Sequence, residues 1–289
     1  MGQLYSRCLI GNEKFASDPL ENVPVTRLNY IIIEHLENGK TKVAFSVREP
    51  DFLTWNRCLR YTLRKLGIDS TFRNLRNYYD MSVILQFNEI KGFMDSLKPL
   101  IRSSSLNTLY IEHNDPEVIR ILSNSLNGMR CNLHLTYYNT ETREYESALL
   151  NLMSNIKVDE DMHLTLRNLS NNSAEFALNV ADIVEKLVMD IENESISEID
   201  IVPLVSALLR RKCSYLLFHF FSNICISQHD AEKLIQNFHH TGKKVEFSSN
   251  IRGNYYDSFS RIGQYQIKIY DYEDHSEIDI YHIDESPFS

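Results

Sequence analysis

The sequence predicts an α/β fold in which a small helical N-terminal region is followed by an irregular strand–helix body and closed by a C-terminal β-hairpin. Three observations predict this fold. From about residue 80 onward, short apolar strands alternate with amphipathic helices. The predicted strand centres are unevenly spaced but average near the ~20–29 residues of a leucine-rich-type repeat. The tail YQIKIYDYEDHSEIDIYHI alternates apolar and polar residues on both sides of a turn.

The sequence pattern divides the chain into three parts. Residues 1–20 are polar and irregular, and we expect a flexible arm there. Residues 21–79 are expected to form a helical head, and residues 80–289 the strand–helix body. Residues 1–80 carry 12 Lys and Arg against 9 Asp and Glu, whereas residues 81–289 carry 18 against 30. A mildly basic head on an acidic body indicates two modules with different partners.

The first element of the head is predicted to be a helix. Pro24 suits a helix start, and Asn38-Gly39 suits its end. Between them, apolar side chains recur at helical spacing and form one stripe, which consists of Leu28, Ile31, Ile32 and Leu36. The segment KVAFSVR, which follows, alternates and predicts a strand or a short extended link.

The second element of the head is also predicted to be a helix. It begins at Asp51, a residue type favoured at the N-cap, and ends at Gly67, a residue type favoured at the C-terminal stop. Three arginines give this amphipathic helix a basic flank: Arg57, Arg60 and Arg64.

Each unit of the body offers one strand and one helix, and neither buries its apolar face alone. Stacked neighbours therefore share a core, and the handedness of the crossovers predicts a parallel sheet with helices on its back. A doubly wound sheet is the competing arrangement, which periodicity does not exclude. In the second half, NVADIVEKLVMDI predicts a helix and SEIDI a strand. The hairpin over 264–283 is expected to cover the open end of the array.

The composition argues against several classes of function. With a net charge of −9 concentrated in the body, the chain repels phosphates, so we expect no nucleic acid partner. No apolar run is long enough to span a bilayer, so no transmembrane segment is expected. The chain has only 9 glycines and no P-loop, GxSxG or HExxH motif. We therefore expect no enzymatic activity and no cofactor.

The cysteines and histidines point the same way. The 5 cysteines are far apart and include no CxxC pair, which favours a reducing compartment, the cytoplasm or also the nucleus. Cys213 and Cys225 lie in or beside apolar strands, where cysteine packs as a small hydrophobe. Four histidines lie close in sequence, but their spacing matches no zinc pattern, so no metal site is expected: His219, His229, His239 and His240.

Tyrosine is abundant, with 16 residues and three Tyr-Tyr pairs. Because tyrosine is enriched at protein interfaces, we expect a protein-binding surface, although strand-end tyrosines also pack half-buried. The basic flank of the second helix suits an acidic partner, including the acidic body of the same chain. A solvated helix face is the alternative.

Three segments carry a resemblance to a known family: FNEIKGFMDSLKPLIRSSSLNTLYIE, SQHDAEKLIQNF and YQIKIYDYEDHSEIDIYHI. They resemble a helix–loop–strand unit, a late helix and the terminal hairpin of nematode F-box proteins with a FOG-2 homology region. The likeness covers roughly residues 80–285. NVPVTRLNYIIIEHLENG is similar to the first F-box helix, whereas NGKTKVAFSVREPDFLTWNRCL departs from the second. The overall layout also resembles the PALS family of nematode regulators.

The resemblance implies a non-enzymatic regulator of the response to intracellular pathogens, which acts in complexes with paralogues or ubiquitin-ligase components. The alternative it implies is a functional F-box substrate adaptor, whose head binds a Skp-type partner of a cullin ubiquitin ligase. An enzyme of unrecognised type, with a deep pocket, is a third hypothesis. The residues expected at the partner surface are Pro24, Leu28, Ile31, Ile32, Leu36, Trp55, Arg57, Arg60 and Arg64.

The chain begins MGQLYSRC, which fits N-myristoylation at Gly2, with Cys8 placed for a second acyl chain. A single myristoyl chain binds a membrane only weakly, and stable anchoring takes a second signal. The sequence leaves two hypotheses for this segment. It is a weak lipid anchor at Gly2, or a flexible arm that packs on the body.

Overall fold

The chain folds around one mixed β-sheet. The computed structural model describes residues 19–20, 25–47, 51–68, 73–74, 80–138, 142–192, 201–220, 225–239, 241, 243–251, 258–262, 264–271 and 276–283. Within these ranges the chain forms fourteen strands and seven helices. The α/β class that the sequence predicts is therefore confirmed.

The strands in chain order are β1 (Thr26–His35), β2 (Thr41–Val47), β3 (Arg73–Asn74), β4 (Asp80–Leu85), β5 (Ser104–Glu112), β6 (Arg130–Tyr138), β7 (Lys157–Arg167), β8 (Lys186–Glu192), β9 (Tyr215–Phe220), β10 (Cys225–Ile226), β11 (Lys244–Ile251), β12 (Ser258–Ile262), β13 (Tyr265–Asp271) and β14 (Ser276–His282). The helices are α1 (Phe52–Leu66), α2 (Phe87–Arg102), α3 (Pro116–Ser125), α4 (Arg143–Asn155), α5 (Asn171–Ala181), α6 (Val202–Leu208) and α7 (Gln228–His239).

The sheet has the order β12-β13-β14-β11-β9-β8-β7-β6-β5-β1-β2-β4-β3, with β10 paired to β11. Its central strands are parallel and lie in chain order from β5 through β9 to β11, and β1 pairs parallel to β5. Antiparallel strands complete both ends. A doubly wound sheet reverses its strand order, and this central block does not.

The helices share one face of the sheet. Right-handed crossovers between parallel strands that advance in one direction put every connecting helix on the same side. In agreement, α1 packs on α2, α2 on α3, α3 on α4, α5 on α6, and α6 on α7. The core lies between this helix layer and the inward side chains of the strands, and it forms one continuous cluster from Leu28 to Ile280.

The helix predicted over the first part of the head is wrong, because residues 26–35 form strand β1. Three consecutive isoleucines favour a strand over a helix, since β-branched side chains fit a pleated surface. Ile31 lies opposite Phe45 of β2 and Leu109 of β5, so both edges of β1 are hydrogen-bonded. The Asn-Gly pair that suggested a helix end is instead the turn of the β1–β2 hairpin, with Gly39 at φ +73°.

Head and body therefore share a sheet. The pairing of β1 with β5 and of β2 with β4 crosses the boundary expected between residues 79 and 80. The strand predicted from KVAFSVR is confirmed as β2. Because the edges of β1 and β2 are satisfied by these neighbours, the N-terminal strands are part of the main core and not an independent helical bundle.

The second helix of the head is confirmed as α1, and Gly67 ends it in the left-handed conformation at φ +66°. Asp51 occupies the N-cap position, but its carboxylate accepts from the Arg27 backbone N–H at 2.8 Å and makes no cap bond. Trp55 is fully buried, and its indole N–H donates to Thr26 Oγ1 at 3.0 Å. This contact joins α1 to the start of β1.

In the body, one predicted helix is wrong in part, and the predicted C-terminal hairpin is confirmed. The helix predicted from NVADIVEKLVMDI is wrong for its second half. Helix α5 ends at Ala181, and Lys186–Glu192 is the parallel strand β8. The C-terminal hairpin is confirmed as β13 and β14, and β14 pairs antiparallel with β11, where it extends the parallel block. The predicted strand SEIDI lies, up to residue 200, outside the described residues.

A buried histidine holds the β1–β2 hairpin onto the sheet. His113, at the end of β5, is 1% exposed, and its Nδ1 accepts from the Asp115 backbone N–H at 3.2 Å. Its Nε2 therefore carries the proton and donates to Thr41 Oγ1 at 2.9 Å. The His35 ring meets it edge-on, with ring centroids 4.9 Å apart. Burial, followed by the nearby His35, lowers the pKa of His113 to about 4.

We expect Trp55→Ala to lower the free energy of unfolding by about 3–5 kcal/mol, because it leaves a large cavity and removes one of the two hydrogen bonds of the Thr26 hydroxyl. Leu53→Ala is the matched control, since Leu53 lies two residues away on the same helix and is 71% exposed. Its effect is expected to stay under about 1 kcal/mol. Urea unfolding followed by circular dichroism measures both, and equal small effects would contradict the burial of Trp55.

Acid is expected to weaken the fold through His113. Its pKa is about 4 when folded and near 6.5 when unfolded, so the unfolded chain takes the proton first as pH falls below 6.5. Between pH 7 and pH 5 the loss from this residue is about 2 kcal/mol. Stability of His113→Gln should therefore depend less on pH than that of the wild type, as measured by urea titrations. His229→Gln, an exposed site on α7, is the control and should keep the wild-type dependence.

Candidate functional site

One face of the sheet is left without a helix layer by the described chain. Along β6, Cys131, Leu133 and Leu135 are buried toward the helices. Asn132 and His134, between them, point to the opposite side and are partly exposed. The same alternation holds along β7 from Asp161 to Arg167, and on β8 Asp190 and Glu192 are partly exposed, whereas Val188, in the same outward register, is buried. We call the surface formed by these outward side chains the helix-free face.

Cross-strand register aligns aromatic rings on this face. The centroids of Tyr110 and His134 are 4.4 Å apart, and those of His134 and His163 are 3.9 Å apart, with the rings stacked at 9°. Tyr30 meets Tyr110 edge-on at 6.1 Å. We call these four residues the aromatic row. The register continues the row on both sides with three aliphatic side chains: Ile32, Val188 and Leu217.

The two stacked histidines are neutral at physiological pH. Burial, followed by repulsion from His163, lowers the pKa of His134 to about 4. Burial also lowers the pKa of His163, against the opposite effect of Asp190 and Asp161. Neutral imidazoles stack without charge repulsion, so the row presents flat, uncharged rings. The chemistry it offers is stacking and apolar contact, with ring nitrogens available for hydrogen bonds.

Charged side chains on part of the helix-free face are paired with one another. These pairs are partly or largely exposed and each contributes little to stability, so they mainly neutralise the surface. They are Lys42 with Glu34 at 2.7 Å, Arg167 with Glu192 at 3.4 Å and Lys186 with Asp161 at 3.8 Å.

At the β8–β14 end of the face, carboxylates from three strands act on one histidine, and Lys268 lies opposite Asp279 on the neighbouring strand. Asp190 Oδ1 lies 3.1 Å from His219 Nδ1. This hydrogen bond is the main reason that the pKa of His219 is raised, with Asp279 and Glu246 adding to it. Two tyrosines, Tyr215 and Tyr281, border the group. Burial, with Glu246 nearby, raises the pKa of Tyr215 to about 12. The hydroxyl of Tyr281 donates a hydrogen bond to Asp279 at 2.7 Å. We call the following six residues the acidic patch: Asp190, Tyr215, His219, Glu246, Asp279 and Tyr281.

The residues predicted at a partner surface are not brought together. Leu28, Ile31 and Trp55 lie in the core, so the prediction that they contact a partner is wrong for the folded chain. The helical stripe that suggested Leu28 and Ile31 is in fact strand β1, in which alternate side chains face inward. Trp55, which was included through the resemblance, faces the core from helix α1. Ile32 is half-buried on the helix-free face, and Leu36 is half-buried at the β1–β2 turn.

The basic flank is on the surface, as predicted. Arg57 and Arg64 are exposed on α1, and Arg60 is half-buried with its Nε donating to Asn56 at 2.8 Å. Helix α1 packs on α2, in the helix layer, so the flank is not on the helix-free face. Three predicted residues lie outside the described residues: Pro24, Gly2 and Cys8.

Sequence reasoning missed the aromatic row, although a signal exists. The tripeptide HLT occurs at residues 134–136 and again at 163–165. The two copies lie in register on β6 and β7, so His134 pairs with His163. The same outward position on β5 is occupied by Tyr110. Aligning the strands on their buried positions would have placed these side chains in one row.

The described residues offer little for covalent chemistry. Burial raises the pKa of Cys131 to about 12 and also raises that of Cys213, so neither thiol is a ready nucleophile at neutral pH. No group of three or more metal-ligating side chains occurs in the ranges that the structure describes. A groove of about 500 Å³ at the start of β5 and β6 contains Arg102 and Arg130, and Arg130 is paired with Asp159.

No protein-family model, curated protein or solved structure matches this chain. Among the helices in the described ranges, none combines the length and the apolar character needed to cross a bilayer.

The histidines of the helix-free face should titrate in two groups. In a proton NMR titration, His134 is expected to show a midpoint near pH 4, because burial and stacking oppose its protonation. His219 should show a midpoint above its ordinary value of 6.5, because Asp190 stabilises the imidazolium. Asp190→Asn should lower the His219 midpoint and identify the signal. A His134 midpoint near 6.5 would show that the stacked row does not form.

Proposed function

We propose that this chain is a non-enzymatic interaction protein that binds another protein through the helix-free face. The observation that carries the proposal is the aromatic row, which lies across four adjacent strands on the face without a helix layer. Tyrosine and other aromatic side chains supply much of the binding energy at protein interfaces. Here the rings already pack against one another, so little side-chain entropy remains to be lost when a partner binds.

The surroundings of the row fit the same function. Ion pairs such as Lys42 with Glu34 lie along its border, which gives a polar rim around an apolar centre. The strands that carry the rings also hold them in fixed positions, because each of these strands is hydrogen-bonded on both sides: β1, β5, β6 and β7. A rigid aromatic centre with a charged rim is typical of a surface that selects its partner.

The resemblance to nematode F-box-like regulators makes the proposal more specific. We propose a regulator of the response to intracellular pathogens that acts in complexes with paralogues or ubiquitin-ligase components. The alternative, a functional F-box adaptor, would need a Skp-binding surface that does not use Leu28 or Ile31, because both are buried. On the described part of the head, the exposed candidates for such a surface are Leu53, Arg57 and Arg64 on α1.

The test is capture of partners from native cells with three purified proteins. The wild type is compared with Tyr110→Ala/His134→Ala, which removes the centre of the aromatic row. The control is Phe87→Ala/Ile183→Ala, which removes two exposed apolar side chains elsewhere on the surface. A true partner should bind the wild type and the control alike. The row variant should bind it about 30-fold more weakly, as expected for the loss of about 2 kcal/mol of contact energy.

Thermal unfolding must first show that both variants fold. Partners that bind the row variant as tightly as the wild type would exclude the helix-free face as the binding surface. If the captured protein is of the Skp type and its binding is lost on Leu53→Asp/Arg64→Glu alone, the adaptor alternative replaces the proposal.

A further inference from the structure

We infer that the helix-free face binds an amphipathic α-helix of the partner protein, which lies across the strands and carries basic residues along one flank. This inference rests on the proposed function, because it concerns the same face and the same aromatic row. It goes further by stating the secondary structure and the side-chain pattern of the segment that binds.

The apolar surface of the face is long and one residue wide. Strand register places six side chains, which we call the central line, across six adjacent strands: Ile32, Tyr110, His134, His163, Val188 and Leu217. Five of the six are partly exposed, and Val188, a short side chain between two larger ones, is 4% exposed. Neighbouring strands are about 4.8 Å apart, so the central line is about 24 Å long.

Polar side chains border the central line on both sides. Two positions later along the strands, Thr136 of β6 lies opposite Thr165 of β7. Two positions earlier, Thr108 of β5 lies opposite Asn132 of β6. A broad apolar surface would cover these polar groups without hydrogen-bonding them, which is costly. A helix with a narrow apolar stripe covers the central line and leaves its borders to polar contacts.

The spacing of the central line favours a helix over an extended segment. A narrow helical stripe has one apolar side chain per 3.5 residues, which is about 5.2 Å along the helix axis. In an extended segment, the side chains of one face are about 6.7 Å apart. Relative to strands about 4.8 Å apart, the helix therefore drifts by about 0.4 Å per strand and the extended segment by about 1.9 Å. Only the helix stays within half a strand spacing along the whole line.

An extended segment also gains no backbone hydrogen bonds on this face. Peptides that bind as an added strand need an open sheet edge. Every strand of the central line, from β1 and β5 through β9, already has a hydrogen-bonded neighbour on both sides. Binding here therefore depends on side chains, which a helix presents in a single stripe.

The charges beside the central line favour basic residues on one flank of that helix. On the side of the strand C-terminal ends, Glu112 lies opposite Glu34. Glu34 is paired with Lys42, whereas Glu112 has no ion pair within the described residues. Asp190, on the same side, is hydrogen-bonded to His219. This flank therefore has more negative than positive charge, which a lysine or arginine of the helix would balance.

The other charges near the central line are balanced within the chain. On the side of the strand N-terminal ends, a lysine and an aspartate lie 3.8 Å apart. Beyond the last strand of the line, each carboxylate has a lysine on the same strand or on the next one. These combinations are Asp161 with Lys186, Glu246 with Lys244, and Asp279 with Lys268. The helix therefore needs basic residues on one flank only.

The experiment uses the full chain and three fluorescein-labelled peptides of one composition: leucine, alanine, glutamine and lysine. The helix peptide is about 18 residues long, so that it spans the central line. Its leucines occupy every third or fourth position, and its lysines lie on one flank. The alternating peptide has its leucines at every second position, and the scrambled peptide has them spread around the helix.

Fluorescence anisotropy measures binding of the three peptides. We expect the helix peptide to bind about tenfold more tightly than either of the others and to gain helical circular dichroism on binding. A fourth peptide, with glutamate in place of lysine, should bind more weakly than the helix peptide. Equal binding of the alternating and helix peptides would overturn the inference, as would equal binding of the lysine and glutamate versions.

Variants at the two ends of the central line test whether one helix spans it. Ile32→Thr and Leu217→Thr should each weaken the helix peptide several-fold, and threonine keeps the preference for a strand. The matched control is Ile84→Thr, because Ile84 is 36% exposed on the same face and lies outside the line. The control should bind like the wild type, and thermal unfolding must show that all three variants fold. Unchanged binding by both end variants would overturn the inference.

A measurement on the unchanged protein gives the same information. A nitroxide label at one end of the helix peptide should broaden NMR signals near Ile32, and a label at the other end should broaden signals near Leu217, in one orientation or the reverse. Labels that broaden the same signals from both ends would contradict a helix laid along the line.

The second-copy alternative and the proposed function are tested separately. Light scattering that shows a dimer, lost on Ile32→Thr/Leu217→Thr, would assign the central line to self-association and overturn the inference. A cellular partner that needs Tyr110 and His134 but binds through a segment that is not helical would leave the proposed function intact and reject only the inference. A partner that needs neither residue would reject both.

Discussion

The one-sided layering of the sheet determines the rest of this structure. Strands β5 to β11 advance in one direction, so every crossover returns on the same side and the connecting helices form one layer. That layer covers the apolar side chains that face it and gives one continuous core. The opposite side of each strand receives no layer from the described chain. The side chains on this face must therefore be compatible with contact to water.

The composition of the helix-free face follows from this constraint. A fully polar face would give little cross-strand stabilisation, and a fully apolar face would promote aggregation. Half-buried rings satisfy both demands, since Tyr110, His134 and His163 pack against each other while keeping polar atoms on the surface. Uncharged histidines are essential to this packing, because two imidazoliums with centroids 3.9 Å apart would repel. The cross-strand packing that stabilises the sheet is thus the same packing that leaves aromatic rings on its surface.

The sequence predicts much of the body and little of the head. Helices α2, α3 and α4, strand β9 and the closing hairpin follow from periodicity, because each has one clear repeat of apolar positions. Strand β1 does not, because YIIIEHL fits a helical stripe as well as a strand. Its conformation is decided by pairing with β5, which lies 78 positions away in sequence at Thr26 and Ser104. Local pattern contains no information about so distant a partner. The end of α5 was misplaced for the related reason that its apolar positions run on into β8.

The candidate site was harder to predict than the fold, because it depends on register. The histidines of interest are spread over β6, β7 and β9, and no motif joins them along the chain. Only the parallel register brings His134 beside His163 and Asp190 beside His219. The same register explains why the acidity of the body has a specific location. Carboxylates from separate strands meet around His219, so the charge asymmetry visible in the sequence becomes a local acidic patch at one end of the sheet. Because the head is part of the same sheet, the basic and acidic regions are not two modules. They are separate surfaces of one sheet-based fold, with α1 in the helix layer and the patch on the opposite face.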